Sequence, residues 1–559
     1  MSEHAQKMPR AVDGRAPDVF KRGGWVPMRQ YGEEELVDFV IVGTGAGGAT
    51  LAAKLAEAGF RVVTLDAGAF WRPLEDFASD EKEQDKVYWL GDRISGGEHP
   101  IEFGSNNSGC SVGGSTVHFQ MVTLRWRPEW FAARSKLGYG RDWPIPWQEM
   151  WRYYDEVEDV LKISGPIRYP WGPPRRRYPY REHEVNAAGL VLAKGAEALG
   201  VEWAATPLAT LSAPRGRAPP CVYRGFCKIG CSTNAKQSAL NTWIPRALAA
   251  GAEIRDLAMA ARIELGQDGL AKEVVYHRSG QGWCRQRARN VVVAGYAIET
   301  PRLLLNSACS KYPQGLANSS GLVGKCLMAH SNHAVWAIME DEIRWYKGPP
   351  SMAVCEHWNY EDRGKDFHGG YAFMSQGPLP ADHAKSTVSN TGMFGMELRQ
   401  KMALYNHMAG LKIVGEVEPR EENRVELSDE LDEFGIPLPR ITFSFSENDQ
   451  RLYKHSLRFM RQMLEAAGGR DLTQTESTAH LMGTCRMGAD SNDSVTDADG
   501  RTWDIPNLWI CDASLFPTSG GVNPSLTVYA LAARMADRIV RMAGHGDLAS
   551  TTPARAHSH

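Results

Sequence analysis

The chain contains no apolar run approaching the roughly eighteen residues that a helix needs to cross a bilayer, and neither sign of charge is in excess. Its 63 lysines and arginines face 66 aspartates and glutamates, a net charge of -3, so it lacks the basic field that a nucleic-acid partner requires. Cysteine is scarce: 10 residues among 559 cannot build a disulfide scaffold. The segment before Val37 has no apolar core of the kind that opens a secretory signal. Neither a Walker motif nor a zinc-protease helix occurs. These absences leave a large enzyme-like chain with no expected membrane span of its own. With 43% hydrophobic residues it can bury a sizeable core and is expected to form two domains or more.

The most informative stretch is Val37 to Gly68, VDFVIVGTGAGGATLAAKLAEAGFRVVTLDAG. Its order predicts a strand, a glycine turn, a helix and a second strand ending at Asp66. Gly43 supplies the tight turn, Gly45 lets the backbone approach a pyrophosphate, and Gly48 lets the helix pack on the sheet. The helix N-terminus offers free N–H groups and partial positive charge. Asp66 falls about twenty residues on, where a carboxylate can accept both hydroxyls of an adenosine ribose. The unit as a whole points to a dinucleotide rather than to a plain βαβ turn. A second glycine loop lies in SGCSVGGSTVHFQ, residues 108–120, where Gly113, Gly114 and Ser115 leave N–H and O–H groups for phosphate or ring carbonyls. Strand, turn and helix recur at Arg287–Ser307 and at Asn507–Ile539. In the latter, Asp512 ends a strand and Asn523 precedes a helix opened by Pro524.

Together these segments resemble the glucose–methanol–choline family of flavin oxidoreductases. The likeness rests on four anchors in order over nearly the full length: the N-terminal unit, the loop Gly113-Gly114-Ser115-Thr116, the turn Ala297-Ile298-Glu299-Thr300-Pro301, and the segment holding Asp512 and Asn523. The resemblance implies FAD and an α/β fold, α+β overall, with a dinucleotide-binding FAD domain on a central parallel sheet. A substrate domain built on an antiparallel sheet would roof the isoalloxazine. The expected division is an N-terminal arm at 1–35, FAD-binding segments at 36–120, 206–330 and 477–545, substrate or cap segments at 121–205 and 331–476, and a flexible tail at 546–559. Period-two stretches such as Ile441–Phe445 suit the roofing sheet. One position departs from the family. Tyr296 stands where a glycine is usual, so the backbone there is expected to lie differently against the cofactor.

Oxidising an alcohol requires a base for the hydroxyl proton while hydride leaves the same carbon, and imidazole suits that transfer. The resemblance places His480, in TAHLMGTCRMG, at the family's active-site histidine, and Asn523 at the second position of the pair. An amide there can hold the substrate oxygen but cannot titrate. His118 matches the position at which several relatives join the flavin 8α-methyl covalently; a neutral histidine packed beside the ring is the alternative, and both readings stay open. Cys221, Cys227 and Cys231 provide soft ligands for an iron–sulfur centre or zinc. They resemble three cysteines that carry a [3Fe-4S] cluster in the glucose, gluconate and fructose dehydrogenase branch. A disulfide plus one thiol, or three unligated thiols, are the alternatives. The basic run Arg175–Arg177 reads as a solvated loop or a docking point for a partner subunit, while Trp143, Tyr153 and Tyr154 read as packing aromatics.

The expectation is therefore FAD-dependent oxidation of an alcohol of a sugar, glycoside or polyol, with electrons passed to an external acceptor such as a cytochrome or quinone. An oxygen-using oxidase is the alternative within enzymes, and an electron-transfer subunit of a complex is the alternative class. Localisation is expected to be cytoplasmic, or periplasmic if the chain is exported with a small signal-bearing partner.

Overall fold

The computed structural model describes residues 11, 14–103, 108–362 and 364–548. Its first sheet grows from the apolar strand Val37–Val42, which lies parallel to Val62–Leu65 on one side and to the end of Gly282–Val293 on the other. Glu253–Arg255 and Leu508–Ile510 extend this parallel ladder outward. Parallel strands are covered on both faces, which is why they read as apolar runs without alternation. Gly282–Val293 is 12 residues long and serves two ladders. Its first half pairs antiparallel with Ala271–Arg278, which pairs in turn with Ala258–Leu265, so the sheet is mixed and 7-stranded. Helices Ala46–Glu57 and Ser525–His545 pack against each other beside the ladder.

A second, 8-stranded antiparallel sheet forms the roof. Its strands include Ala334–Ile338, Tyr371–Gln376 and Met408–Gly415. Alternation along Met408–Gly415 sends Leu411 and Ile413 into an apolar layer with Leu192 of helix Ala187–Ala198 and Leu452 and Met460 of helix Glu447–Ala466. Lys412 and Val414 face a cavity on the other side, as the two-residue period of a strand requires. The roof also takes Ala204–Ala205, Met328–Ser331 and Thr478–Met482. The last lies inside the segment 477–545 that the sequence assigned to the flavin-binding part. Ile441 falls elsewhere than expected: strand Pro437–Thr442 pairs with Arg424–Leu431 and Ile94–Gly96 in a separate 3-stranded sheet.

The described part of the arm lies over the first sheet. Arg15–Pro17 and Trp25–Pro27 form a small ribbon. Tyr31 N donates to Glu253 Oε2 at 2.8 Å, and Asn234 Nδ2 to Val19 O at 2.7 Å. Helix Ser525–His545 ends at Gly546 with φ 76°, and the tail beyond residue 548 falls outside the described residues. Arg175 pairs with Glu158, and Arg176 pairs with Asp159 at 2.6 Å. Helix Trp147–Leu161 therefore engages two arginines of the basic run. Among the described residues no helix is long and apolar enough to cross a membrane.

Candidate active site

Two glycine loops meet at the C-terminal ends of the parallel strands. Gly43 turns the chain with φ 97°, and a Cβ there would stand 2.3 Å from Ala294 O. A Cβ on Gly48 would stand 2.0 Å from Gly43 O, so that glycine lets the helix close onto the strand. Gly114 abuts Gly45: a Cβ on the former would come within 2.7 Å of Gly45 Cα. No side chain caps helix Ala46–Glu57, and Gly45, Ala46 and Gly47 line the cavity, leaving N–H groups at a helix N-terminus for an anion. The loops are tied through Thr44. Its Oγ1 donates to Asp66 Oδ2 at 2.5 Å and accepts from Gly113 N at 3.1 Å.

Asp66 also accepts from Thr44 N at 3.0 Å and from Gly68 N at 2.9 Å. A carboxylate has about four acceptor sites, and three protein donors engage Asp66 at the cavity wall. Burial raises its pKa to about 6. Ser115 Oγ accepts from Gly109 N at 2.9 Å. Asp512 accepts from Tyr296 N, Thr300 Oγ1 and Ser514 N at 2.8, 2.6 and 2.8 Å. Uncapped N–H groups, bare glycine backbone and an acceptor facing the same cavity fit a dinucleotide. Residues 109–113 also spell Gly-x-Ser-x-Gly. Ser111 Oγ is buried without a hydrogen-bond partner, so it has no base to activate it.

His480 reaches the cavity through a β-bulge. In the pairing of Met328–Ser331 with Thr478–Met482, Ala329 faces Leu481 and His330 faces Ala479, and the register shifts between them. His480 is the extra residue, with φ 56°, and a bulge of this kind re-aims a side chain. Tyr296 braces it: its hydroxyl accepts from Leu481 N at 2.6 Å. Tyr296 itself has φ 73°, the region that glycine favours. The backbone difference expected at this position therefore does not arise from the conformation. What changes is the side chain, which reaches across to the bulge.

The tautomer of His480 follows from His330, a residue that the motifs did not single out. His330 Nε2 lies 3.1 Å from Ser519 O and 2.7 Å from Gly520 O, so it carries the proton. Burial pulls this ring's pKa to about 4, so His330 is neutral and its Nδ1 is an acceptor. His480 Nδ1, 3.0 Å away, must then donate, which leaves Nε2 of His480 unprotonated. Asn523 Nδ2 lies 3.3 Å from that atom, and Asn523 Oδ1 has no partner. Both side chains line the cavity. Burial, then His330 and Lys412, hold the His480 pKa well below the usual histidine range, so the base is already deprotonated at neutral pH. A rate constant for the reduction of bound flavin by an alcohol should therefore be flat at and above neutral pH and fall only at a pH well below the ordinary histidine value of 6.5. Anaerobic stopped-flow across pH measures it, and a rate still climbing above neutrality would assign the proton to another group.

His118 also lines the cavity and is buried, with neither ring nitrogen hydrogen-bonded. Burial, with Lys236 and Lys228, lowers its pKa to about 3. Cys221, Cys227 and Cys231 are free thiols. Among the described residues no group of three or more His, Cys, Asp or Glu side chains could hold a metal ion. The trio therefore forms neither the disulfide nor the single-ion site considered from sequence, and no step below is routed through it. Burial raises the Cys227 thiol to about 12. Trp143 Nε1 donates to Thr518 Oγ1 at 2.9 Å, and Tyr153 and Tyr154 are buried on helix Trp147–Leu161, in keeping with packing roles.

Comparison with known proteins identifies the family. Two family models, both described as GMC oxidoreductase, match residues 37–332 and 419–532. A 2-methyl-1,2-propanediol dehydrogenase from Mycolicibacterium austroafricanum is 31% identical over 90% of this chain and 95% of its own. The fructose dehydrogenase large subunit of Gluconobacter japonicus is 28% identical over 90% and 97%. Among solved structures, a formate oxidase of Aspergillus oryzae RIB40 superposes with a TM-score of 0.68 over 93% of this chain and 100% of its own, at 17% identity, a likeness of fold alone. By models that span more than half its length, the chain belongs to the GMC oxidoreductases and is an FAD-dependent enzyme that oxidises a CH–OH group.

Proposed function

We propose that the enzyme oxidises a primary or secondary alcohol of a sugar, glycoside or polyol to a carbonyl and passes the electrons to an external acceptor. The observation that carries this reading is the unprotonated Nε2 of His480, set by His330 on one side and accepting from the Asn523 amide on the other, at the cavity wall. FAD, when bound, supplies the hydride acceptor at N5. His480 Nε2 takes the hydroxyl proton as the C–H bond breaks, and the second N–H of the Asn523 amide holds the substrate oxygen. His330 keeps the proton of His480 on Nδ1, so that the cavity-facing nitrogen is the basic one. Gly43, Gly45, Gly48, Asp66, Gly113, Gly114, Ser115 and Asp512 bind the cofactor. The two unpartnered nitrogens of His118 support a bond from that ring to the flavin 8α-methyl. A [3Fe-4S] cluster on Cys221, Cys227 and Cys231 is supported by spacing and resemblance alone, as are a small partner subunit and a cytochrome or quinone acceptor.

A second reading is an oxygen-using oxidase, because the named relatives divide: a paromamine 6'-oxidase of Streptomyces fradiae is 29% identical over 95% of this chain. One set of measurements on purified protein separates these readings. Absorption before and after acid precipitation, with iron analysis, reports the flavin, its linkage and the cluster. Anaerobic bleaching by a panel of alcohols, followed by oxygen uptake with and without an artificial acceptor, reports the reaction. Flavin-loaded protein that no alcohol bleaches would overturn the reading in favour of an electron-transfer subunit.

A further inference from the structure

The roof of the cavity carries a lysine with no acid beside it. Lys412 faces the cavity from the strand Met408–Gly415. With the Asn332 amide turned so that both of its ends are satisfied, Lys412 Nζ donates to Asn332 Oδ1 at 3.0 Å and the Asn332 amide nitrogen donates to Ile413 O at 3.1 Å, so the partner of the lysine is neutral. The acids that line the same cavity are engaged elsewhere. Asp66 is held by Thr44 and Gly68, Glu299 by Arg93 and Arg302 at 2.9 and 3.0 Å, and Asp512 by Tyr296, Thr300 and Ser514. The charge that acts on Lys412 is that of another lysine, Lys228, and burial lowers its pKa to about 7. A third buried lysine, Lys236, donates to the carbonyls of Val117 and Cys227 at 2.6 and 2.8 Å. Beside Lys412 the wall is rich in donors. Ser351 Oγ lies 3.3 Å from both Gln120 Oε1 and Gln376 Oε1, which leaves the two amide NH2 groups to donate elsewhere, and both glutamines line the cavity.

A wall of ammonium and amide donors suits an acceptor-only group, and a carboxylate is the one that also cancels the charge. A neutral sugar offers nothing to hold the lysine in its protonated form in a water-poor site, whereas a carboxylate does. We propose that the substrate is a polyhydroxylated carboxylic acid, a sugar acid, whose carboxylate is bound by Lys412 with Gln120 and Gln376 while one hydroxyl meets His480 Nε2. This rests on the alcohol-oxidation reading above and leaves its balance unchanged. The C–H electron pair passes to the flavin as hydride, the O–H proton goes to His480, a carbonyl forms, and the carboxylate is a spectator.

The test uses flavin-loaded full-length protein and its Lys412→Met and Lys412→Arg variants. Anaerobic flavin reduction is measured with gluconate, glucuronate, glucose and sorbitol. The expected result is that the ratio of efficiency with acids to that with neutral polyols falls roughly ten- to a hundredfold in Lys412→Met, the usual worth of a charged hydrogen bond, and is largely restored in Lys412→Arg. A second measurement needs no turnover: calorimetric binding of glutarate, which has no hydroxyl, should weaken by a similar factor in Lys412→Met. An unchanged ratio with unchanged glutarate binding would overturn the proposal. So would a wild-type flavin reduced by sorbitol or glucose but by neither acid. Reduction by none of the four, nor by simpler alcohols, would instead overturn the underlying reaction.

Discussion

His480→Ala is expected to slow the reduction of bound flavin by alcohol about a hundredfold to ten-thousandfold, the usual worth of a placed general base. The alcohol proton cannot leave as hydride leaves unless something accepts it, and the unprotonated Nε2 of His480 is the proposed acceptor. The cofactor loops lie on other segments of the chain, so FAD content should change little, and the ratio of visible to ultraviolet absorption would show this directly. Asn523→Ala removes an orienting amide and leaves the proton acceptor, so its loss of rate should be smaller. The ordering of the two variants carries the information. Near-normal anaerobic reduction in His480→Ala at every accessible pH would show that the base is another residue.

The second large effect is on the cofactor. Gly45→Val should give a folded protein that contains little or no FAD. Gly45 has φ -69°, an ordinary value for any residue, and the nearest atom to a Cβ placed there is Gly114 Cα at 3.9 Å. The side chain therefore meets no protein wall and extends into the space where a pyrophosphate must approach the backbone. Neighbouring glycines do not separate these outcomes. A Cβ at Gly47 would stand 1.7 Å from Cys511 O, so substitution there damages the fold together with the site. Circular dichroism and thermal melting would establish that Gly45→Val is folded, and flavin absorbance would report loading. A folded variant with full flavin content would place the pyrophosphate elsewhere.

Local features of this fold were legible in the sequence because their causes are local. A strand, a glycine turn with a required positive φ, a helix and an acid at the next strand end all fall between Val37 and Asp66, and periodicity with spacing is enough to order them. Motif resemblance picked out His480 and Asn523, which lie 43 residues apart in the chain and 3.3 Å apart at the cavity wall. What was hidden depends on contacts between distant segments. His330 sets the tautomer of His480 from 150 residues away, and the one signal for it was a histidine at the end of the apolar run Leu327-Met328-Ala329. Tyr296 looked like a departure from a glycine position, whereas its hydroxyl holds Leu481 N. Lys412 sits in a strand whose alternation is ordinary; its meaning comes from the lack of a neighbouring acid. The cysteine trio is a different case: spacing along the chain suggested a ligand set, and among the described residues no group of three or more His, Cys, Asp or Glu side chains gathers around one ion.

Thr478–Met482 has 5 residues and Met328–Ser331 has 4. The active-site histidine thus owes its direction to parity, an odd count set against an even one. Side chains on a strand alternate, so a chain that lost one residue here would pair without the bulge and present a different side chain to the cavity. Substitution can adjust the strength of the base at His480 by degrees. Insertion or deletion at this point acts instead as a switch, and a lineage that carries such a change would keep the architecture while losing the reaction in a single event.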